Sequence, residues 1–94
     1  MKFSEIPFHS YNVAGAHGVI ARIHFDNGYG LSIVKVYDEL NGDSHGADEG
    51  LYEAAILKNG KLCYDTPITG YQKKLFGFLN ESDVEKLIDE VEKL

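Results

Sequence analysis

The chain has 94 residues, with 44% hydrophobic and 26% charged positions, the composition of one soluble globular domain with a modest core. Fifteen acids against nine bases give a net charge of −6, which excludes a basic patch able to drive direct binding to nucleic acid or to an anionic membrane. No run approaches the ~18 apolar residues of a membrane span, the N-terminus lacks an apolar signal core, and a single cysteine allows no internal disulfide, all of which predicts a cytoplasmic protein.

Residues 1–18 predict an irregular N-terminal arm or edge strand. Phe3, Ile6 and Phe8 are expected to tuck under the sheet, and a Gly/Ala-rich turn follows at Ala14–Gly18. In residues 19–25, Val19, Ala21, Ile23 and Phe25 alternate with Ile20, Arg22 and His24, the period of a strand with one buried face. Asp26-Asn27-Gly28 is a hairpin signal, because Asn and Gly tolerate positive φ. The next strand, about Tyr29–Tyr37, has apolar residues on both faces (Leu31 and Ile33; Val34 and Val36), which places it centrally.

Residues 38–50 read DELNGDSHGADEG, an acidic, glycine-rich loop with Leu40 as its one large apolar residue. With so little apolar area to bury against its ordering entropy, it is expected to be the most mobile interior segment. It does not fit the pattern of a calcium-binding loop. Counting from Asn41, the fifth position is His45 and the twelfth is Tyr52, where the motif needs Asp or Asn and then Glu.

Strand character resumes at residues 51–58, Asn59-Gly60 marks a second hairpin, and 61–65 closes it before Pro67. Residues 66–79 have no clean period, and their apolar side chains are expected to be buried as the segment crosses the sheet. Asn80 is a good N-cap, and Val84, Leu87, Ile88, Val91 and Leu94 form one apolar stripe of a C-terminal helix. The predicted fold is therefore a single α+β domain: a four- or five-stranded antiparallel sheet built on two hairpins, spanning 19–65, with a C-terminal helix over 80–94 packed on one face.

Candidate chemistry is sparse. Cys63 has no neighbouring base to activate it, and His9, His17, His24 and His45 show no metal-ligand spacing. No catalytic or metal-binding residues, no cofactor and no enzymatic activity are expected. The charge pattern has more shape. Glu81, Glu85, Asp89 and Glu92 lie on one strip of the helix about 16 Å long, with steps of roughly 6 Å, close to the phosphate spacing of a nucleic-acid strand. Like charges at i,i+4 disfavour a helix by a few tenths of a kcal/mol, roughly 0.2–0.5 per pair, so helix stability does not ask for the strip. Asp38, Glu39, Asp43, Asp48 and Glu49 add acidic character in the loop.

The stretches FDNGYGLSIV at 25–34, GLYEAAILKNGKLCYDTPIT at 50–69 and FGFLNESDVEKLI at 76–88 resemble a group of small proteins encoded by bacteriophages and prophages. In that group a D-N-G-Y-G hairpin, a G-L-Y-E strand, a Y-D-T-P-I-T stretch and a short C-terminal helix recur in this order. The likeness covers roughly 19–94 and assigns no site residue. The loop at 38–50 is longer and more acidic here than is usual in the group. The resemblance implies a non-essential phage accessory protein in the bacterial host cytoplasm, of the kind that binds and inhibits a host or defence protein. Its acidic strip and loop would then mimic nucleic acid toward a partner with a basic surface, in an anti-CRISPR or anti-restriction role. The alternative is a small-ligand-binding or sequestering protein with Tyr11, Tyr37, Tyr52 and Tyr71 lining a site at a homodimer interface.

Overall fold

The computed structural model describes residues 1–63, 66–68 and 76–94. A short 3-10 turn at Phe3–Glu5 leads into β1 (His9–Val13) and β2 (Ala16–His24), then β3 (Tyr29–Asp38). After the acidic loop and a second 3-10 turn, Ala47–Glu49, come β4 (Tyr52–Lys58), β5 (Lys61–Leu62), β6 (Phe76–Leu79) and the helix α1 (Glu81–Glu92). The fold is α+β, as the hairpins and the helical stripe predict. All strand pairs are antiparallel, in the order β1-β2-β3-β4-β5, and β6 pairs with the other end of β4.

Among the described residues the sheet has six strands, the two expected hairpins being extended by β1 and β6. The N-terminal arm supplies a regular strand at 9–13, and the turn before β2 is confined to Ala14 and Gly15, so β2 begins at Ala16. The stretch at 66–79 supplies β6. Phe78 is 57% exposed, against the expectation of burial there, while Thr66 is buried and Ile68, Phe76 and Leu79 pack against the core. The rest of that expectation, at residues 69–75, falls outside the described residues.

Strand register assigns the two faces. One face carries Ala21 and Ile23 of β2, Leu31 and Ile33 of β3, and Ala54 and Ile56 of β4, all buried. Val84, Leu87, Ile88 and Val91 of α1 close over them with Ile6, completing the core. Phe3, Phe8 and Tyr52 pack ring to ring at 5.2–5.6 Å beside it, so the arm's aromatics do tuck under the sheet. The opposite face carries Ile20, Arg22 and His24, then Ser32, Val34 and Val36, then Glu53, Ala55 and Leu57.

The helix ends are fixed by side chains. At the N-terminus Asn80 Oδ1 accepts from the Asp83 amide at 2.8 Å, and Asp83 Oδ2 accepts from the Asn80 amide at 3.1 Å, a reciprocal capping box. At the C-terminus the Asn27 side-chain amide donates to the carbonyls of Val91, Glu92 and Leu94 at 3.0–3.2 Å. The turn residue between β2 and β3 thereby adds a donor to the last carbonyls of the helix, of which that of Val91 also accepts the Leu94 amide at 3.2 Å.

Candidate acidic interface

The helical strip is not uniformly solvated. Glu81, Asp89 and Glu92 are exposed, but Glu85 is half-buried, and its Oε2 accepts the Phe3 amide at 2.6 Å. Asp89 Oδ1 stands 3.9 Å from the amino group of Met1. The two middle acids of the strip thus face the N-terminal segment, and α1 packs against the 3-10 turn there. An i,i+4 repulsion that does nothing for the isolated helix is offset in part by this contact. It also breaks the even spacing, since one of the four charges serves the fold.

The loop acids divide in the same way. Asp38 Oδ1 accepts the amides of Leu40 and Asn41 at 2.9 and 3.0 Å, and Asp43 Oδ1 accepts the Asp38 amide at 2.8 Å. These two carboxylates fold the loop's first half. Glu39, Asp48 and Glu49 are exposed, and no described hydrogen bond or ion pair engages their side chains. Nor does one join the strip to the loop among the described residues.

The Asn41 amide, then the Leu40 amide, hold the Asp38 carboxyl below 3.8, the ordinary value of an aspartate. A group whose folded-state value is depressed supports the fold above its unfolded value, and that support is lost as pH falls through the lower, folded value. Acid titration followed by NMR should therefore move the Leu40 and Asn41 amides together, with a midpoint below 3.8. A midpoint at or above that value would show that the carboxylate does not cap this turn.

The loop is tied down more closely than its composition predicts. The Ser44 hydroxyl accepts the Val36 amide at 2.9 Å, the Ser44 amide donates to the Val36 carbonyl at 2.9 Å, and the Glu39 amide donates to the Gly15 carbonyl at 2.8 Å. Ala47 is fully buried. The physical reason is polar: short side chains and backbone amides supply the tethers that apolar area does not.

A pairing not foreseen from the sequence holds the loop's second half. His45 Nδ1 lies 2.7 Å from Glu53 Oε1 on β4, and the His45 carbonyl accepts the Phe78 amide of β6 at 3.2 Å. Gly46, at φ 93°, bends the chain back between them, and a Cβ there would meet the Phe78 Cα at 3.0 Å. Phe78 itself has φ 56°, in the left-handed region, where the β4–β6 register slips by one residue. His45 and Glu53 are eight residues apart across a loop, so no short motif announces them.

Other candidates stay apart. His9, His17, His24 and His45 are all exposed, and among the described residues no group of three or more His, Cys, Asp or Glu side chains is placed to hold a metal ion. Cys63 is half-buried and free. The four tyrosines do not gather. Tyr37 stacks on His17 at 5.2 Å and Tyr52 packs with Phe3 and Phe8, both on the helix side, whereas Tyr11 lies on the opposite face across from Gly18, and Tyr71 lies outside the described residues. Among the described residues no helix is long and apolar enough to cross a membrane.

Comparisons with protein-family models, curated proteins and solved structures find no match.

Proposed function

We propose that this protein is a non-enzymatic binding protein that presents acidic surface to a basic region of a partner protein. The carrying observation is that Glu39, Asp48, Glu49, Glu81 and Glu92 are exposed with their carboxylates in no described hydrogen bond or ion pair, while Asp89 has only a long contact to the Met1 amine. Charge of one sign left unneutralised on the surface raises the encounter rate with an oppositely charged partner. The resemblance of the hairpin and Y-D-T-P-I-T stretches to phage-encoded proteins favours a host or defence protein in the bacterial cytoplasm, such as a nuclease with a basic cleft. With Glu85 drawn to Phe3, the geometry supports an acidic surface more than an evenly spaced copy of a nucleic-acid backbone.

The experiment compares wild type with the triple variant Glu81→Gln, Asp89→Asn, Glu92→Gln in pull-downs from bacterial lysate across a salt series. Glu85 is left intact because it holds the Phe3 amide. The wild type should capture a basic protein at low salt and lose it above ~0.15 M. The variant should capture it about tenfold less at low salt, through a slower on-rate, with an unchanged circular dichroism spectrum. Equal capture by a folded variant, or capture indifferent to salt, would refute the proposal.

A further inference from the structure

Among the described residues one outer edge of the sheet is open: β1 pairs with β2 alone, in the register Val13↔Ala16, Tyr11↔Gly18 and His9↔Ile20. The two-residue turn at Ala14 and Gly15 makes Val13 and Ala16 a hydrogen-bonded pair, and the alternation of an antiparallel ladder then turns His9, Tyr11 and Val13 toward β2. The backbone N–H and C=O groups of Ser10 and Asn12 face away from the sheet. Exposed edges of this kind are usually blunted by proline, lysine, a bulge or a covering element. Residues 9–13 contain no proline and no charged residue, and their register with β2 is regular.

We infer that β1 is a self-association edge, where two copies of this chain pair antiparallel about a two-fold axis through Tyr11. Charge permits a second copy. Residues 6–25 hold no acid in a chain with fifteen, so neither β1 nor β2 sets a carboxylate of one copy against the other. The nearest acid in the ladder is Asp38, two strands further in, opposite Ala16. The register is also self-complementary. The axis sets Ser10 against Asn12 of the second copy, and Asn12 against its Ser10, so that all four outward N–H and C=O pairs find partners. Tyr11 then meets its own symmetry mate as a close, non-hydrogen-bonded pair, on a face where its neighbour Gly18 offers no side chain. A five-residue contact predicts a weak, concentration-dependent dimer.

Two measurements test this, independently of the acidic surface. In sedimentation, the apparent mass of the wild type should rise toward twice that of the chain as concentration reaches the high micromolar range. Asn12→Pro should stay monomeric with an unchanged circular dichroism spectrum, because its N–H points outward and no β1–β2 bond is lost. In a Cys63→Ser background, Tyr11→Cys should form a disulfide-linked dimer about tenfold faster than His24→Cys, since opposed non-hydrogen-bonded positions suit disulfide geometry. A wild type that stays monomeric throughout, cross-linking no faster at Tyr11 than at His24, or a folded Asn12→Pro that associates like wild type, would overturn the inference. So would a monomeric wild type whose edge takes up a foreign extended peptide.

Discussion

Truncating Ile88 to alanine should destabilise the protein by about 2–5 kcal/mol in urea unfolding. Ile88 is fully buried, on the helical stripe that covers Leu31, Ile33 and Ile56. Removing its outer carbons forfeits their transfer out of water and leaves a cavity that a sheet on one side and a helix on the other can only partly close. A domain of this size has roughly 5–15 kcal/mol in total, so the change takes a large share of it. Twelve residues make a marginal helix in isolation, and α1 owes its existence to this face. Its loosening should also release the N-terminal segment held by Glu85. A loss below about 0.5 kcal/mol, the range of an ordinary surface substitution, would show that the stripe is not core.

Gly30→Ala should be comparably damaging for a different reason, at about 1–3 kcal/mol or more. Gly30 is buried in the central strand, paired with His24 on one side and Leu57 on the other. A Cβ there would stand 2.3 Å from the Ile23 carbonyl oxygen, which is backbone and cannot turn away as a side chain could. Relief requires β2 and β3 to part where their ladder is continuous. Gly42→Ala is the informative comparison. Its φ of 85° is left-handed, but a Cβ there meets nothing within 4 Å, so it should cost only the conformational penalty, roughly 1–2 kcal/mol. Equal losses in the two variants would remove the steric argument at Gly30.

Much of this fold was legible because its determinants are local. Asn27-Gly28 and Asn59-Gly60 mark their turns by backbone preference, and the spacing from Val84 to Val91 orients the helix without reference to any partner. β6 was not legible for the opposite reason. It is four residues long, with an aromatic at positive φ, and it exists because β4 has a free end beside Tyr52. The acidic residues were found by composition, but their division was hidden. Whether Glu85 faces water or the Phe3 amide, and whether Asp38 is free or caps a turn, depends on where a distant or returning chain comes to rest. His45 and Glu53 met for the same reason, through a left-handed glycine that the sequence shows only as one glycine among ten.

The contact between Asn27 and the end of the helix ties the protein's chemical ageing to its fold. Asparagine followed by glycine is the sequence most prone to deamidation, because the unhindered glycine nitrogen can attack the side-chain carbonyl and expel ammonia, and asparagine is accordingly a thermolabile residue. The chain has three such pairs, at Asn27, Asn41 and Asn59. At Asn27 the lost group is the very NH2 that donates to the carbonyls of Val91, Glu92 and Leu94, and its replacement is a carboxylate set against those same oxygens. Once water opens the resulting cyclic imide, this slow covalent change in a surface turn would place a new negative charge where a neutral donor stood, at the negative end of the helix dipole, and loosen the last turn of the core-covering element. Preparations of different age would then differ in helix stability while sharing one amino-acid sequence at synthesis.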